Sequence, residues 1–318
     1  MALWMNQAQQ TLQDYIPTKD EDLTAPFLQA LIECAPTELG RRNICNSILR
    51  CLDNITPEKS LSDLLYKLRE HYLTGLIYPM RVKGGKTPQA TEQPSRQDSI
   101  EDEPILNELY LSEAKRDCHM LRALVLLRDN YRSVVTGVAD LRSAKAGKVS
   151  SDLELARAEV AHILPFSLAN NQSERTIAWT VLSSFSGMDL TMILGGNDIN
   201  RLGNVFTLSV SEHELFGGLD FWLEEVVGQG HTYITNSVYR LADVPRGTRV
   251  TLVDRGLGLE MPDPRLIAIH AACAKVVHQS GMTGYIDRVL KDMEEAQVLA
   301  EDGSSNALTI ALSYIAVN

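Results

Sequence analysis

The sequence predicts an α+β fold with helical sections at both ends. Three observations lead there. From residue 22 to about 78, apolar residues recur at spacings of three and four; from Tyr131 the periodicity shortens into brief β-branched and aromatic runs; past Pro262-Asp263-Pro264 the helical spacing returns. The middle section alternates strands and a few helices irregularly, without repeated βα units, which separates it from a doubly wound sheet.

In chain order, Leu23, Phe27, Leu31 and Ile32, then Ile44, Ile48, Leu49 and Leu52, then Leu61, Leu64, Leu65 and Leu68 mark three amphipathic helices. Thr56-Pro57-Glu58-Lys59-Ser60 reads as a turn, with Ser60 the N-cap of the third. Residues 81–104 are rich in Gly, Pro, Ser, Gln and charge and have almost nothing apolar to bury, so they read as a linker. Helical spacing resumes over 105–127 through Leu106, Leu109, Met120, Leu121, Leu124 and Leu127. Strands are expected at 132–137 (RSVVTG), 159–166 (EVAHILPF), 203–209 (GNVFTLS), 231–238 (HTYITNSV) and 249–254 (RVTLVD). Leu266, Ile267, Ile269, His270, Cys273, Val276 and Val277 mark a further helix, and Tyr285 to about Val298 another. The expected organisation is a helical section at 1–80, the linker at 81–104, an α+β core at 105–260 and a helical cap at 261–318.

The chain of 318 residues carries 41 Asp+Glu against 30 Lys+Arg, a formal charge of −11. Such a molecule repels a phosphate backbone, and a nucleic-acid site needs a local reversal of the field. Residues 120–260 hold 13 Lys/Arg against 16 Asp/Glu, so the core shows no such surplus. Five cysteines (Cys34, Cys45, Cys51, Cys118 and Cys273), odd in number and without CxxC pairs, argue against a disulfide framework and a four-thiolate zinc site. The start lacks a basic n-region and a continuous apolar stretch, and no apolar run approaches the roughly 20 residues that span a bilayer. A cytoplasmic or nuclear protein without a membrane segment is expected.

The informative stretch is 128–224. The strand AEVAHILPFSL ends at Pro165, which cannot donate a further ladder bond, and so delivers His162 to the mouth of a hairpin. In INRLGNVFTLSVSEHELFGGLDFWLE, Asn200 and Asn204 fall in a loop, and Ser211 is the expected cap of a short helix carrying His213. Glu212 and Glu214 flank His213 and read as a solvated helix face. His270, Cys273 and His278 share a helix and read as core packing.

This ordered combination, together with PDPRLIAIHAACAKVVHQSGMTGYID, resembles the HNH endonuclease family, the ββα-metal fold, in particular the HNH-like proteins of filamentous fungi. The resemblance covers roughly 120–310. It implies a divergent ββα core with His162 as general base, Asn204 as the Asn that orients the ββα loop or the base, and His213 as a metal ligand on the helix. Phosphodiester hydrolysis needs a base to deprotonate water and positive charge at the scissile phosphate, here an expected Mg²⁺, Mn²⁺ or Zn²⁺ ion. Two departures stand out. Ala161 occupies the position before the base where relatives hold an acidic residue or His, and Ser133 stands where relatives often have Cys. Glu159 shares the strand face of Ala161, about 7 Å back, and is the substitute ligand.

The resemblance thus implies an HNH-type, metal-dependent endonuclease acting on nucleic acid. The acidity, Ala161 and the apolar aromatics Trp179, Phe206, Phe216, Phe221 and Trp222 support an alternative: a scaffold turned to a small molecule, such as a cyclase or pericyclic-type enzyme of fungal specialised metabolism. A non-catalytic binding protein is a third reading. An open groove rimmed by Arg128, Arg132 and Arg201 would favour the nuclease.

Overall fold

The computed structural model describes residues 3–17, 21–81, 118–165, 172–194 and 198–298. Nearly all of the expected linker, the start of the helix expected from residue 105, residues 195–197 and residues 299–318 lie outside them. The chain forms two units, and neither is continuous. One comprises Met1–Val82, Asn170–Met192 and Ala272–Asn318; the other comprises Lys83–Ala169 and Ile193–Ala271. The helix that carries the buried Val181 and Phe185 lies against the N-terminal helices at Gly75 and Gly40.

The first unit is helical: Leu3–Gln13, Thr24–Cys34, Glu38–Asp53, Leu61–Tyr72, Tyr78–Arg81, Gln172–Ser186 and Thr283–Val298. Ser60 caps its helix as expected, in a capping box with Asp63. Pro79 has no N–H for the preceding turn, and the chain widens there into one π turn, Leu73–Ile77. Two close approaches fix the helix Gln172–Ser186. A Cβ on Gly40 would lie 2.0 Å from the Phe185 carbonyl oxygen, and one on Gly75 would lie 2.5 Å from a Val181 methyl. The buried Arg69 is enclosed by the Asp22 and Glu70 carboxylates and the Tyr66 and Tyr285 rings.

The second unit holds all seven strands of the described residues. Strands β1 (Ala139–Asp140) and β2 (Leu155–Ala156) form a short parallel pair. Strand β3 (Ala158–His162) pairs antiparallel with β4 (Val205–Ser209), from Ala158 opposite Ser209 to His162 opposite Val205. The helix Val210–Gly217 follows β4 at once. Strands β5 (Phe221–Glu225), β6 (Thr232–Ser237) and β7 (Arg249–Thr251) make an antiparallel sheet in that order. Met120, Leu121, Leu124 and Val125 of the helix Cys118–Arg128 pack with Val160, Leu202, Val205 and Leu259 as the core beneath the β3–β4 pair.

Three local expectations are corrected. No strand forms at 132–137, because Ser133 Oγ accepts from the N–H groups of Val135 (3.1 Å) and Thr136 (3.4 Å) and Gly137 turns the chain at φ +77°. The helix cap is Ser209, not Ser211; it forms a capping box with Glu212. Glu212 is buried rather than solvated, and its Oε1 accepts from Thr136 Oγ1 at 2.6 Å, which ties the Ser133 turn to the helix. Strand β5 went unforeseen because its Phe-Trp-Leu start reads as core lining; all three side chains are buried.

Candidate active site

Three anchors set the β3–β4–helix unit. Ala158, at the head of β3, gives its N–H to Asp140 Oδ1 (3.1 Å) and its carbonyl to Arg122 Nη1 (2.9 Å). Asp140 also caps the helix Leu141–Lys145 and is 1% exposed. At the other strand, the buried Arg128 donates to the carbonyls of Leu202 and Val205 (both 2.7 Å), and Asp129 accepts the Thr207 N–H (2.7 Å). The third anchor is the Ser209 cap. Both strands and the helix are therefore pinned by buried charged or polar groups whose hydrogen bonds are made, which holds their side chains in place.

His162 stands at the end of β3, half-buried, with Nε2 2.9 Å from Asn200 Oδ1. With that oxygen as acceptor, Nε2 carries the proton and Nδ1 the lone pair. Burial pushes the imidazole down to about 4; the Asn200 hydrogen bond works the other way, and the charge of His213 adds a smaller push down. His162 is thus neutral at pH 7 and entirely in its base form, at the expense of basicity.

Asn204, expected to orient the ββα loop or the base, is wholly buried and bonds within the loop. Its Oδ1 accepts from the Leu164 N–H, its Nδ2 donates to the carbonyls of Leu164 and Ile199 (all 2.9 Å), and its own carbonyl accepts from Ile163 N–H at 2.8 Å. It staples the residues that leave β3 to those that return to β4, so it orders the loop and not the base. The residue on the base is Asn200. Sequence reading placed both in the loop without separating them; the only hint was that Asn200 lies four residues before Asn204, far enough to face another partner. The loop is held from outside by Glu260, which bonds Arg201 and accepts the Gly203 N–H (3.0 Å), and by Asp263, whose N–H bonds the Gly203 carbonyl (2.8 Å).

His213 and Glu159 do come together. His213 Nδ1 lies 2.8 Å from Glu159 Oε2, with the two side chains 30% and 45% exposed. An ionised carboxylate only accepts, so Nδ1 is the protonated nitrogen and Nε2 points away from Glu159. As a metal centre the set is poor. Ala161 has no donor atom, Glu159 has one oxygen on His213, and among the described residues no group of three His, Cys, Asp or Glu side chains converges. Structural and catalytic zinc sites use three or four protein ligands, and magnesium sites favour carboxylate oxygens. The pair thus offers at most two donor groups to an ion, one imidazole and one carboxylate.

The segment around these groups, residues 133–224, matches the family model described as HNH endonuclease. It is HNH-like. The matched residues take in β3, β4, the helix Val210–Gly217 and all the side chains placed above except those of Arg122, Arg128, Asp129, Glu260 and Asp263. No curated protein and no solved structure matches the chain.

The three arginines whose place on the rim of an open groove would favour the nuclease make bonds within the protein. Arg128 is buried in its clamp, Arg201 pairs with Glu260 and donates to the Ile193 carbonyl, and Arg132 donates to the Gly137 carbonyl (3.5 Å). His270 is buried as expected, stacked on Phe216 with ring centroids 3.6 Å apart and Nε2 3.0 Å from the Phe216 carbonyl. No helix among the described residues is long and apolar enough to cross a membrane.

Proposed function

We propose that the HNH-like segment hydrolyses phosphodiester bonds, with His162 Nδ1 as the base that takes a proton from the attacking water. The observation that carries the reading is the His162–Asn200 pair at the mouth of the β3–β4 hairpin: an imidazole kept neutral, its tautomer set by one hydrogen bond, within a segment that matches the HNH endonuclease model. Asn204 serves the same chemistry at one remove, by ordering the turn after His162. Nucleic acid is the substrate class this reading implies.

The test is plasmid nicking by the purified protein and by His162→Ala, with both melted to verify the fold. Loss of nicking in a folded variant supports the assignment. Equal nicking by the two removes His162 from the mechanism.

A second reading rests on the engaged arginines and the acidic balance of the core. It is a scaffold of the same build that acts on a small molecule, for instance as a cyclase, with His162 as acid, base or hydrogen-bond donor. Absence of nicking, with a ligand that perturbs the His162 imidazole resonances, would select it.

A further inference from the structure

We propose that residues 130–151 form the surface that holds the phosphate backbone of a DNA duplex beside the HNH-like site. The inference rests on the hydrolase reading and names where its substrate lies. A chain with a formal charge of −11 needs a local reversal of its field to approach DNA, and this stretch supplies one. It carries Arg132, Arg142, Lys145 and Lys148 against a single acid, Asp140. Asp140 is 1% exposed and spent inside the protein, on the N–H and hydroxyl of Ser143, the Ala158 N–H and the Arg122 guanidinium (3.6 Å). Arg142 and Lys145, by contrast, are exposed and enter no ion pair among the described residues. The next carboxylates along the chain, Asp152 and Glu154, come after the last of these cations.

The cations sit on a backbone that is closed at every corner. Asp140 caps the start of the helix Leu141–Lys145; at its end Gly147, at φ +75°, gives its N–H to the Ala144 carbonyl (3.0 Å), and the Lys148 N–H bonds the Ser143 carbonyl (2.9 Å). Arg142 and Lys145, three apart, share one face of that helix. The Lys148 ammonium stands 5.6 Å from the centre of the Tyr131 ring, which restrains a long side chain. The Tyr131 carbonyl accepts the Asp140 N–H (2.8 Å) and Arg132 bridges to Ala139, so this corner and the helix are one piece. Charges placed beforehand lose less freedom when a phosphate arrives. The piece is also bonded to both elements of the candidate site. Thr136 Oγ1 donates to Glu212, the neighbour of His213, and Asp140 accepts from Ala158, the neighbour of Glu159. From Ala158 to His162, β3 runs about 13 Å, a length over which one strand of a duplex presents about four phosphates. DNA held on the cations therefore reaches His162 within a few nucleotides. Phosphate contacts position a duplex without reading its bases, so no sequence preference is expected from this surface.

The experiment reads binding of the whole protein to a labelled DNA duplex of mixed sequence by fluorescence anisotropy, from about 50 to 200 mM salt. Each phosphate contact removed lowers the slope of log association constant against log salt by about 0.9, and costs about five- to tenfold in affinity at 0.1 M salt. Lys145→Gln with Lys148→Gln should therefore take about 1.8 from the slope and weaken binding more than about tenfold. Arg240→Gln with Arg246→Gln, exposed cations between β6 and β7, changes the net charge equally and should leave the slope as it is. Thermal melts verify the fold of both. An unchanged slope in the lysine variant, or equal losses in the two variants, overturns the surface, while plasmid nicking by the wild type keeps the hydrolase reading. A lysine-dependent slope in a protein that nicks no plasmid supports the surface and overturns the hydrolase reading. Tighter lysine-dependent binding to vesicles containing phosphatidylserine than to the duplex overturns nucleic acid as the partner.

Discussion

Asn204→Ala separates a loop staple from a catalytic group. The side chain is 0% exposed and makes three hydrogen bonds of 2.9 Å, to the Leu164 N–H and to the carbonyls of Leu164 and Ile199. Each such bond contributes about 1 kcal/mol net, and a buried backbone group left without a partner costs about 1–3 kcal/mol. Three lost bonds therefore amount to about 3 kcal/mol, and to about 5 kcal/mol where water does not enter the gap. Against a total stability of about 5–15 kcal/mol the protein stays folded but weakened. In urea, with an m-value of about 2 kcal/mol/M, the midpoint falls by about 1.5–2.5 M at unchanged m. Asn204→Asp should do no better, since it keeps an acceptor for Leu164 N–H and removes the donor for both carbonyls. Asn200→Ala, which lacks the triple staple, should shift the midpoint by less than half as much. An Asn204→Ala shift below about 1 kcal/mol would refute the staple, and the loop would then owe its order to Glu260 and Asp263.

Acid should unfold the protein through its buried histidines. Burial holds His270 down to about 3, and burial foremost holds His162 down to about 4, against about 6.5 unfolded. A depressed folded value means the unfolded chain binds more protons below pH 6.5. Stability is then full above that pH and falls by about 1.4 kcal/mol per unit per histidine as pH drops toward the folded values. His270→Gln keeps a donor for the Phe216 carbonyl and should remove one such slope from urea melts between pH 4.5 and 6.5; an unchanged slope contradicts the assignment. Glu212→Ala removes half the capping box and the Thr136 bond and should cost about 2 kcal/mol, partly restored in Glu212→Gln, as thermal melts would report. Gly40→Ala forces a methyl onto the Phe185 carbonyl and should cost about 1–3 kcal/mol; wild-type stability would mean that the helices part there without strain. Metal analysis of the dialysed protein should find less than one ion per chain, because two donor groups hold an ion weakly once buffer competes; a stoichiometric ion lost in His213→Ala would make His213 a ligand.

Periodicity carried most of the elements. The spacing of Leu61, Leu64, Leu65 and Leu68 and the Ser60 cap are where the sequence placed them, and GNVFTLS and HTYITNSV contain β4 and β6. What escaped depends on competition that a pattern does not display. RSVVTG is β-branched, but a serine hydroxyl offers its amides a nearer acceptor than a neighbouring strand does. Ser209 and Ser211 are equally good caps on paper, and Glu212 three residues after Ser209 was the available signal. At the site, residue types alone suggest His162 and His213. The choice between Asn200 and Asn204, and the pairing of Glu159 with His213, follow from a loop path and a strand register that only the folded chain defines.

The excursion between β3 and β4 has a consequence for how the protein acquires its site. A hairpin joined by a tight turn zips locally, but here roughly 40 residues separate the strands, and their ends meet only after that length of chain has closed. Part of it, the helix Gln172–Ser186, is claimed by the helical unit, which itself waits for residues beyond Ala272. During synthesis the ribosome would have to release the chain as far as Ala271 before either unit could finish. The pairing of His162 with Asn200 then belongs among the last events of folding, and a refolding time course should show helix forming first and activity returning in a later, slower phase.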